Sequence, residues 1–234
     1  IQNDENGEVD FHFADSIDRG FIDSLDFKVD GEFVISAPDI DHIDILALVL
    51  KSPLAPGEKI TITTPFRVKI PLGIYSRLGH IGESYQITQW FPKPAVYDKD
   101  GWHPMPYLSQ GEFYSEYGTY DVTITLPKNY VVGATGDLVN GKEEIAWLEN
   151  KVTETELLLK EDKIGFWKKD GMDFPESSTE LKTLHYHQEN VHDFAWFADK
   201  RYYVLKGEVE LPHSKNKVTT WAMFTNNEAK LWEK

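Results

Sequence analysis

The sequence contains no cysteine. That single absence excludes disulfides, thiolate metal ligands and thiol nucleophiles. It is also poor in positive charge. With 24 Lys+Arg against 39 Asp+Glu the net charge is −15, which cannot supply the basic face a phosphate backbone needs. The same sign disfavours anionic membrane surfaces, so neither nucleic acid nor such a surface is expected as a partner. No apolar run approaches the ~18 residues of a membrane span. There is no internal repeat and no low-complexity segment. No G-x-S-x-G, phosphate-binding glycine loop or dinucleotide fingerprint occurs, so no catalytic residue is assigned. The chain starts at Ile1, without a methionine or a leader, and is expected to be a piece of a longer protein.

What is present is β-forming sequence. Apolar residues at 41% and aromatics at 13% are enough for a packed core, and 234 residues suit one large β-sandwich. Short alternating runs over 19–37 flank Asp30-Gly31, a strong hairpin turn. Ile43–Leu50 is continuously apolar and predicts a buried strand. Lys59–Ile70 alternates, with a break at Thr64-Pro65. Residues 73–118 are dense in Gly, Pro and aromatics and predict long irregular connections. Tyr120–Leu126, Val131–Ala134, Thr183–His187, Tyr202–Leu211 and Val218–Phe224 read as strands, with Tyr120, Val122, Ile124 and Leu126 sharing one face. Asn140-Gly141 predicts a hairpin turn, residues 143–159 alternate like a strand through Val152, Thr153, Thr155 and Leu157, and Lys160–Ser178 predicts a loop. Only Val191–Ala198 and the tail from Asn226 look helical. The pattern predicts one β domain over 1–225, with 226–234 opening a helix that leads elsewhere. The fold class is all-β, a sandwich or saddle of antiparallel sheets with aromatic-rich connections and little helix.

Two histidine arrangements bear on metal. His185 and His187 flank Tyr186 on a predicted strand and so share a face. Zinc takes four ligands, and no further histidine or carboxylate stands at a clear spacing, so the expected role is hydrogen bonding across the sheet or contact with water. His187 and His192 are separated by five positions, with Glu189 between them. An H-E-x-x-H helix needs histidines one turn apart and the glutamate directly after the first, so this is not that motif, and no metal site is expected in the chain. The cluster Trp90, Tyr97, Trp102, Tyr107, Phe113, Tyr114, Tyr117 and Tyr120 either pads a loop layer or binds sugars or peptides.

The run Tyr85-Gln-Ile-Thr-Gln-Trp-Phe-Pro-Lys-Pro-Ala-Val-Tyr-Asp-Lys-Asp-Gly-Trp-His103 resembles the N-terminal domain of zinc aminopeptidases of the aminopeptidase N and leukotriene hydrolase family, in particular bacterial secreted members. The likeness continues through Gly111-Glu-Phe-Tyr114, Tyr120-Asp-Val-Thr-Ile-Thr-Leu-Pro127 and Tyr130-Val-Val-Gly-Ala-Thr-Gly136. Pro53-Leu-Ala-Pro-Gly57, Asn190-Val-His-Asp-Phe-Ala-Trp196 and Thr220-Trp-Ala-Met-Phe224 extend it over most of the chain.

The resemblance implies a saddle-like β domain of an extracytoplasmic metallopeptidase, a hydrolase whose zinc and H-E-x-x-H lie in a separate catalytic domain. The β domain packs on that catalytic domain and shapes the substrate cleft. It also implies a Gln/Glu pair that binds the free amine of a peptide substrate. Aligned on Pro92, the pair falls on Glu83 and on Ile81, which departs from the pattern. Gln86 or Gln89 would serve in a shifted register. The chain alone would then hold no zinc and show no turnover. The alternative reading is a free-standing carbohydrate- or peptide-binding β-sandwich that uses the Trp/Tyr-rich surface.

Overall fold

A computed structural model describes residues 14–107, 113–161 and 173–226. Of these residues 41% are in strands and 10% in one helix, so the chain is all-β with antiparallel pairing. In chain order the elements are β1 (Phe21–Asp23), β2 (Lys28–Val29), β3 (Glu32–Phe33), β4 (Ile35–Pro38), β5 (Leu46–Val49), β6 (Ile62–Thr63), β7 (Arg67–Lys69), β8 (Gly79–Ile81) and β9 (Ser84–Ile87). They continue with β10 (Val96–Asp98), β11 (Gly101–His103), β12 (Gly118–Pro127), β13 (Val131–Ala134), β14 (Asp137–Leu138), α1 (Lys142–Lys160), β15 (Leu181–Val191), β16 (Trp196–Asp199), β17 (Tyr203–Glu210) and β18 (Lys217–Phe224). The chain divides into two compact units, Ile1–Gly79 with Gln89–Gly118, and His80–Thr88 with Thr119–Lys234.

The first unit is built from small sheets, β1-β7, β3-β2-β6, β4-β5 and β10-β11. Asp30 and Gly31 both take positive φ, 51° and 81°, as a two-residue hairpin turn between β2 and β3 requires. The Asp30 carboxylate accepts from the Thr61 N–H at 2.9 Å, which fixes the turn against the end of β6. Arg67 grips Asp23 through two nitrogens, at 2.9 and 2.5 Å, across the β1-β7 pair. The predicted buried strand Ile43–Leu50 is corrected. Only Leu46–Val49 is extended, its residues alternate between half-buried and exposed, and Ile43 is fully exposed. Asp39, Asp41 and Asp44 punctuate that stretch, and the Asp39 carboxylate accepts from the N–H groups of Asp41 and His42 to hold a turn. Within 73–118 the chain is less irregular than expected, because β8 to β11 lie there.

The second unit holds the four-stranded sheet β13-β16-β9-β8, the three-stranded sheet β12-β15-β14 and the β17-β18 hairpin. Alternation along β12 buries Ile124 and half-buries Tyr120, Val122 and Leu126, the face expected from sequence. The expected strands at 131–134, 183–187, 202–211 and 218–224 match β13, β15, β17 and β18 to within a few residues. Two expectations fail. Residues 143–159 form most of α1, and Gly141 is its N-cap rather than a hairpin position. Val191–Ala198 is not helical. It ends β15 and starts β16, which pairs with both β9 and β13. The tail after Asn226 and residues 162–172 of the predicted loop lie outside the described residues.

Helix α1 forms because Ile145, Leu148, Val152, Thr155 and Leu159 recur every three or four positions along one face. Glu143 and Glu144 sit in the first turn and Lys160 in the last, each matching the helix dipole. Leu148 packs with Val131 and Val204 into a core that Trp147, Val152, Tyr202, Trp221 and Met223 line. Each such fully buried side chain contributes roughly 1.5–3 kcal/mol. A nearly dry ion pair pins the helix to β15: Lys182 donates to Glu144 at 2.6 Å, both side chains about one-tenth exposed, with the ammonium 4.1 Å from the Trp147 ring centre. Burial lowers the Lys182 pKa despite that partner.

Candidate functional site

Glu83 stands in the two-residue turn Gly82-Glu83 that joins β8 to β9. Gly82 takes φ +57°, and a Cβ there would lie 2.5 Å from the Phe174 ring, so only glycine permits this approach. The guanidinium of Arg201 lies over the same ring at 3.7 Å from its centre. Arg201 in turn donates to both oxygens of Asp199, at 2.9 and 2.6 Å. Asp199 is fully buried at the end of β16, and its carboxylate also accepts from the Arg201 N–H at 2.7 Å. A buried carboxylate with three donors is compensated as burial demands.

Between Asp199 and Arg201 sits Lys200, with only 1% of its side chain exposed. Its ammonium donates to the Glu83 carboxylate, the Pro175 carbonyl and, at 3.1 Å, the Ser177 hydroxyl. The ring centre of Tyr130 lies 5.4 Å from the same nitrogen. Burial, and then charge repulsion from the neighbouring Tyr85 phenol, push the Tyr130 phenol up to about 12, so it stays neutral at ordinary pH. Three oxygens thus surround the Lys200 ammonium. Glu83 keeps 46% of its side chain exposed, with Oε2 committed to Lys200. Two carboxylates and two cations therefore cancel, and the group offers solvent one fixed carboxylate edge.

The other sequence-predicted residues are placed differently. Gln86 is exposed on β9, opposite Phe197 of β16. Gln89 adopts φ +51°, and its amide oxygen accepts from Lys93 at 2.5 Å. Lys93 also faces the rings of Phe91 and Phe113, 5.9 and 5.5 Å from their centres. Glu83 and Gln86 belong to one compact unit and Gln89 to the other. Ile81 is more than half exposed at the end of β8.

His185 and His187 do share a face of β15, and each meets the same atom, Oδ1 of Asp121 on β12, at 3.1 and 3.0 Å. Sequence spacing did not reveal Asp121, because it arrives from another strand 64 positions away from His185. The Asp121 hydrogen bond raises the His187 pKa, with Glu189 and Asp137 adding to the pull. Hydrogen bonds from His187 and then His185 lower that of Asp121. Among the described residues no group of three or more His, Asp or Glu is arranged to hold a metal ion. No described helix is long and apolar enough to cross a membrane.

Sequence reasoning missed Lys200. Its signal was the run Asp199-Lys200-Arg201 set between Trp196-Phe197-Ala198 and Tyr202-Tyr203, three charges in a stretch otherwise fit for a core. Comparison with protein-family models, with curated proteins and with solved structures returns no match for this chain. The fold and the site thus define an all-β protein with a charge-compensated cluster behind a hairpin turn.

Proposed function

We propose that the chain is the non-catalytic β portion of an extracytoplasmic zinc aminopeptidase-like protein. In this reading it packs on a zinc-bearing catalytic domain and forms one wall of its cleft. The observation that carries the reading is Glu83, an acid held at a hairpin tip by a buried ammonium and half open to solvent. A carboxylate fixed in this way loses little entropy on meeting the amine of a peptide N-terminus. The order of the resembling segments along the chain supports it as well. The metal would come from the catalytic domain. The role left to this chain is to orient a substrate amine through Glu83, or through Gln86 or Gln89 in a shifted register.

Two experiments test the reading. The coding sequence downstream of Lys234 should encode H-E-x-x-H within roughly the next hundred residues. A frame without that motif removes the proposal. In the zinc-bearing protein, Glu83→Ala should lower kcat/KM on free-amine substrates by roughly one to three orders of magnitude, as expected for a lost ammonium contact of about 2–5 kcal/mol. Once circular dichroism shows the variant folded, substrates with a blocked amine should be insensitive to the change. Equal losses on both would assign Glu83 to structure alone.

A further inference from the structure

The β10-β11 hairpin carries an aromatic pair that the proposed role leaves unused. Tyr97 and Trp102 are directly opposite in the register, and their ring centres lie 4.9 Å apart at a tilt of 57°. Strand alternation turns Val96 inward, 2% exposed, and both rings outward, 65% and 67% exposed. A cross-strand aromatic pair stabilises a hairpin, but that contact occupies one side of each ring. Here about two-thirds of each residue still faces solvent.

The platform is rigid. Asp98 Oδ1 accepts from the Asp100 N–H at 2.8 Å and bonds the His103 ring at 2.8 Å, tying the turn to both strands. Gly101 takes φ +106°, which only glycine adopts freely. At the turn Lys99 donates to Asp100 at 2.6 Å, and together with Asp98 they give the rim beside the rings hydrogen-bonding groups of both signs.

The charges select the ligand. A nucleic acid would stack on the rings but would bring its phosphates to a chain of net charge −15. An anionic lipid surface is opposed by the same sign. A stable protein interface needs roughly 800 Å² per partner. Two rings bordered by the exposed Lys99, Asp100 and Pro104 offer far less apolar area. A neutral pyranose fits what remains: its C–H face packs on an aromatic face, and its hydroxyls find the ammonium and carboxylate at the turn.

We infer that Tyr97 and Trp102 form a binding platform for a neutral oligosaccharide. The site is independent of Glu83 and of the aminopeptidase-like reading, so either can fail alone. The test is calorimetric titration of the chain with cellohexaose, chitohexaose and maltohexaose, backed by saturation-transfer NMR. At least one should bind, with affinity falling at least about tenfold in Trp102→Ala and in Tyr97→Ala. Trp102→Tyr should retain most of the affinity, and Phe33→Ala, at another exposed ring, should change nothing. Circular-dichroism melts confirm that each variant is folded, and Trp102→Tyr provides the comparison if an alanine variant is not. The inference is overturned if none of the three sugars binds at millimolar concentration. It is overturned equally if binding survives both alanine changes, or if only a polyanion or a proline-rich peptide binds at these rings.

Discussion

The ammonium of Lys200, 1% exposed, meets the carboxylate of Glu83, 46% exposed, across 117 positions of sequence. The two partners are unequal, because one can return to water and the other cannot. Removing the carboxylate strands a buried cation, while removing the cation leaves a carboxylate free to hydrate.

Glu83→Gln should therefore destabilise the protein more than Lys200→Met does. Stranding the ammonium should cost toward the lower end of the about 3–5 kcal/mol for breaking a buried pair, because Glu83 is half exposed and the new amide oxygen can still accept. The methionine variant should lose less, roughly 1–3 kcal/mol, mostly from the unpaired Pro175 carbonyl. Urea denaturation of both variants and of the double variant measures the asymmetry. Equal losses would mean that water reaches Lys200.

Gly82→Ala tests the turn that presents Glu83. The new methyl would stand 2.5 Å from Phe174 Cε2 on a backbone at φ +57°. The expected loss is about 1–3 kcal/mol from overpacking together with left-handed strain. Adding Phe174→Leu should recover the steric part and leave the backbone part. Full recovery in the double variant would show that backbone strain is negligible there.

Much of the β framework was legible in the sequence. Where one face is buried, as along Tyr120–Leu126, alternation states both the strand and its inward side. Asp30-Gly31 was equally plain, since the residues that tolerate positive φ occupy a turn that needs it. The failures arose where two periods fit the same letters. In α1 the β-branched Val152, Thr153 and Thr155 suggest alternation, yet the three- and four-residue spacing from Ile145 to Leu159 is what the core uses. Val191–Ala198 has helix-like spacing of Val191, Phe194, Ala195 and Ala198. Pairing of β16 with β9 and β13 overrides it, and Asn190 at φ +57° redirects the chain just before. Ile43–Leu50 looked buried because apolar letters carry no information about what covers them. The site was legible only in part. Glu83 was singled out by resemblance, and the shared face of His185 and His187 by strand geometry. Lys200 and Asp121 belong to their clusters through contacts between distant segments, which no local pattern encodes.

The Asp121–His185–His187 cluster should make stability depend on pH within a definite window. The raised His187 pKa contributes stability fully present below its ordinary value of 6.5 and lost as pH rises through the folded value. The lowered Asp121 pKa contributes stability present above its ordinary 3.8 and lost as pH falls through the folded value. Both contributions coexist between those two ordinary values. The Tm difference between wild type and Asp121→Asn should be largest near pH 5 and shrink toward pH 8 and toward pH 2–3. High salt should reduce it, because all three groups are solvent-accessible. A difference that does not vary with pH would show that the hydrogen bonds, not the charges, matter.

Thr155 explains why a polar residue stands on the buried face of α1. It is 2% exposed, and its hydroxyl accepts from the Val204 N–H at 3.1 Å while donating to the Lys151 carbonyl at 2.8 Å. Val204 lies in β17, against which α1 packs, and is itself completely buried. An edge strand needs such a donor satisfied, and here the helix supplies the acceptor that a neighbouring strand would have given. Thr155→Val keeps shape and β-branching but removes the acceptor, leaving a buried N–H unpaired at a cost of about 1–3 kcal/mol. Thr155→Ser keeps the hydroxyl and gives up one methyl, about 0.8 kcal/mol on the transfer scale. Serine should therefore be the better tolerated substitution, although valine is closer to threonine in volume. Denaturant midpoints rank the two variants, and amide exchange at Val204 reads the bond itself. Val204 should lose protection in Thr155→Val and keep it in Thr155→Ser, with the rest of β17 little changed. If valine proves neutral and Val204 stays protected, the α1–β17 contact rests on apolar packing and the hydroxyl is incidental.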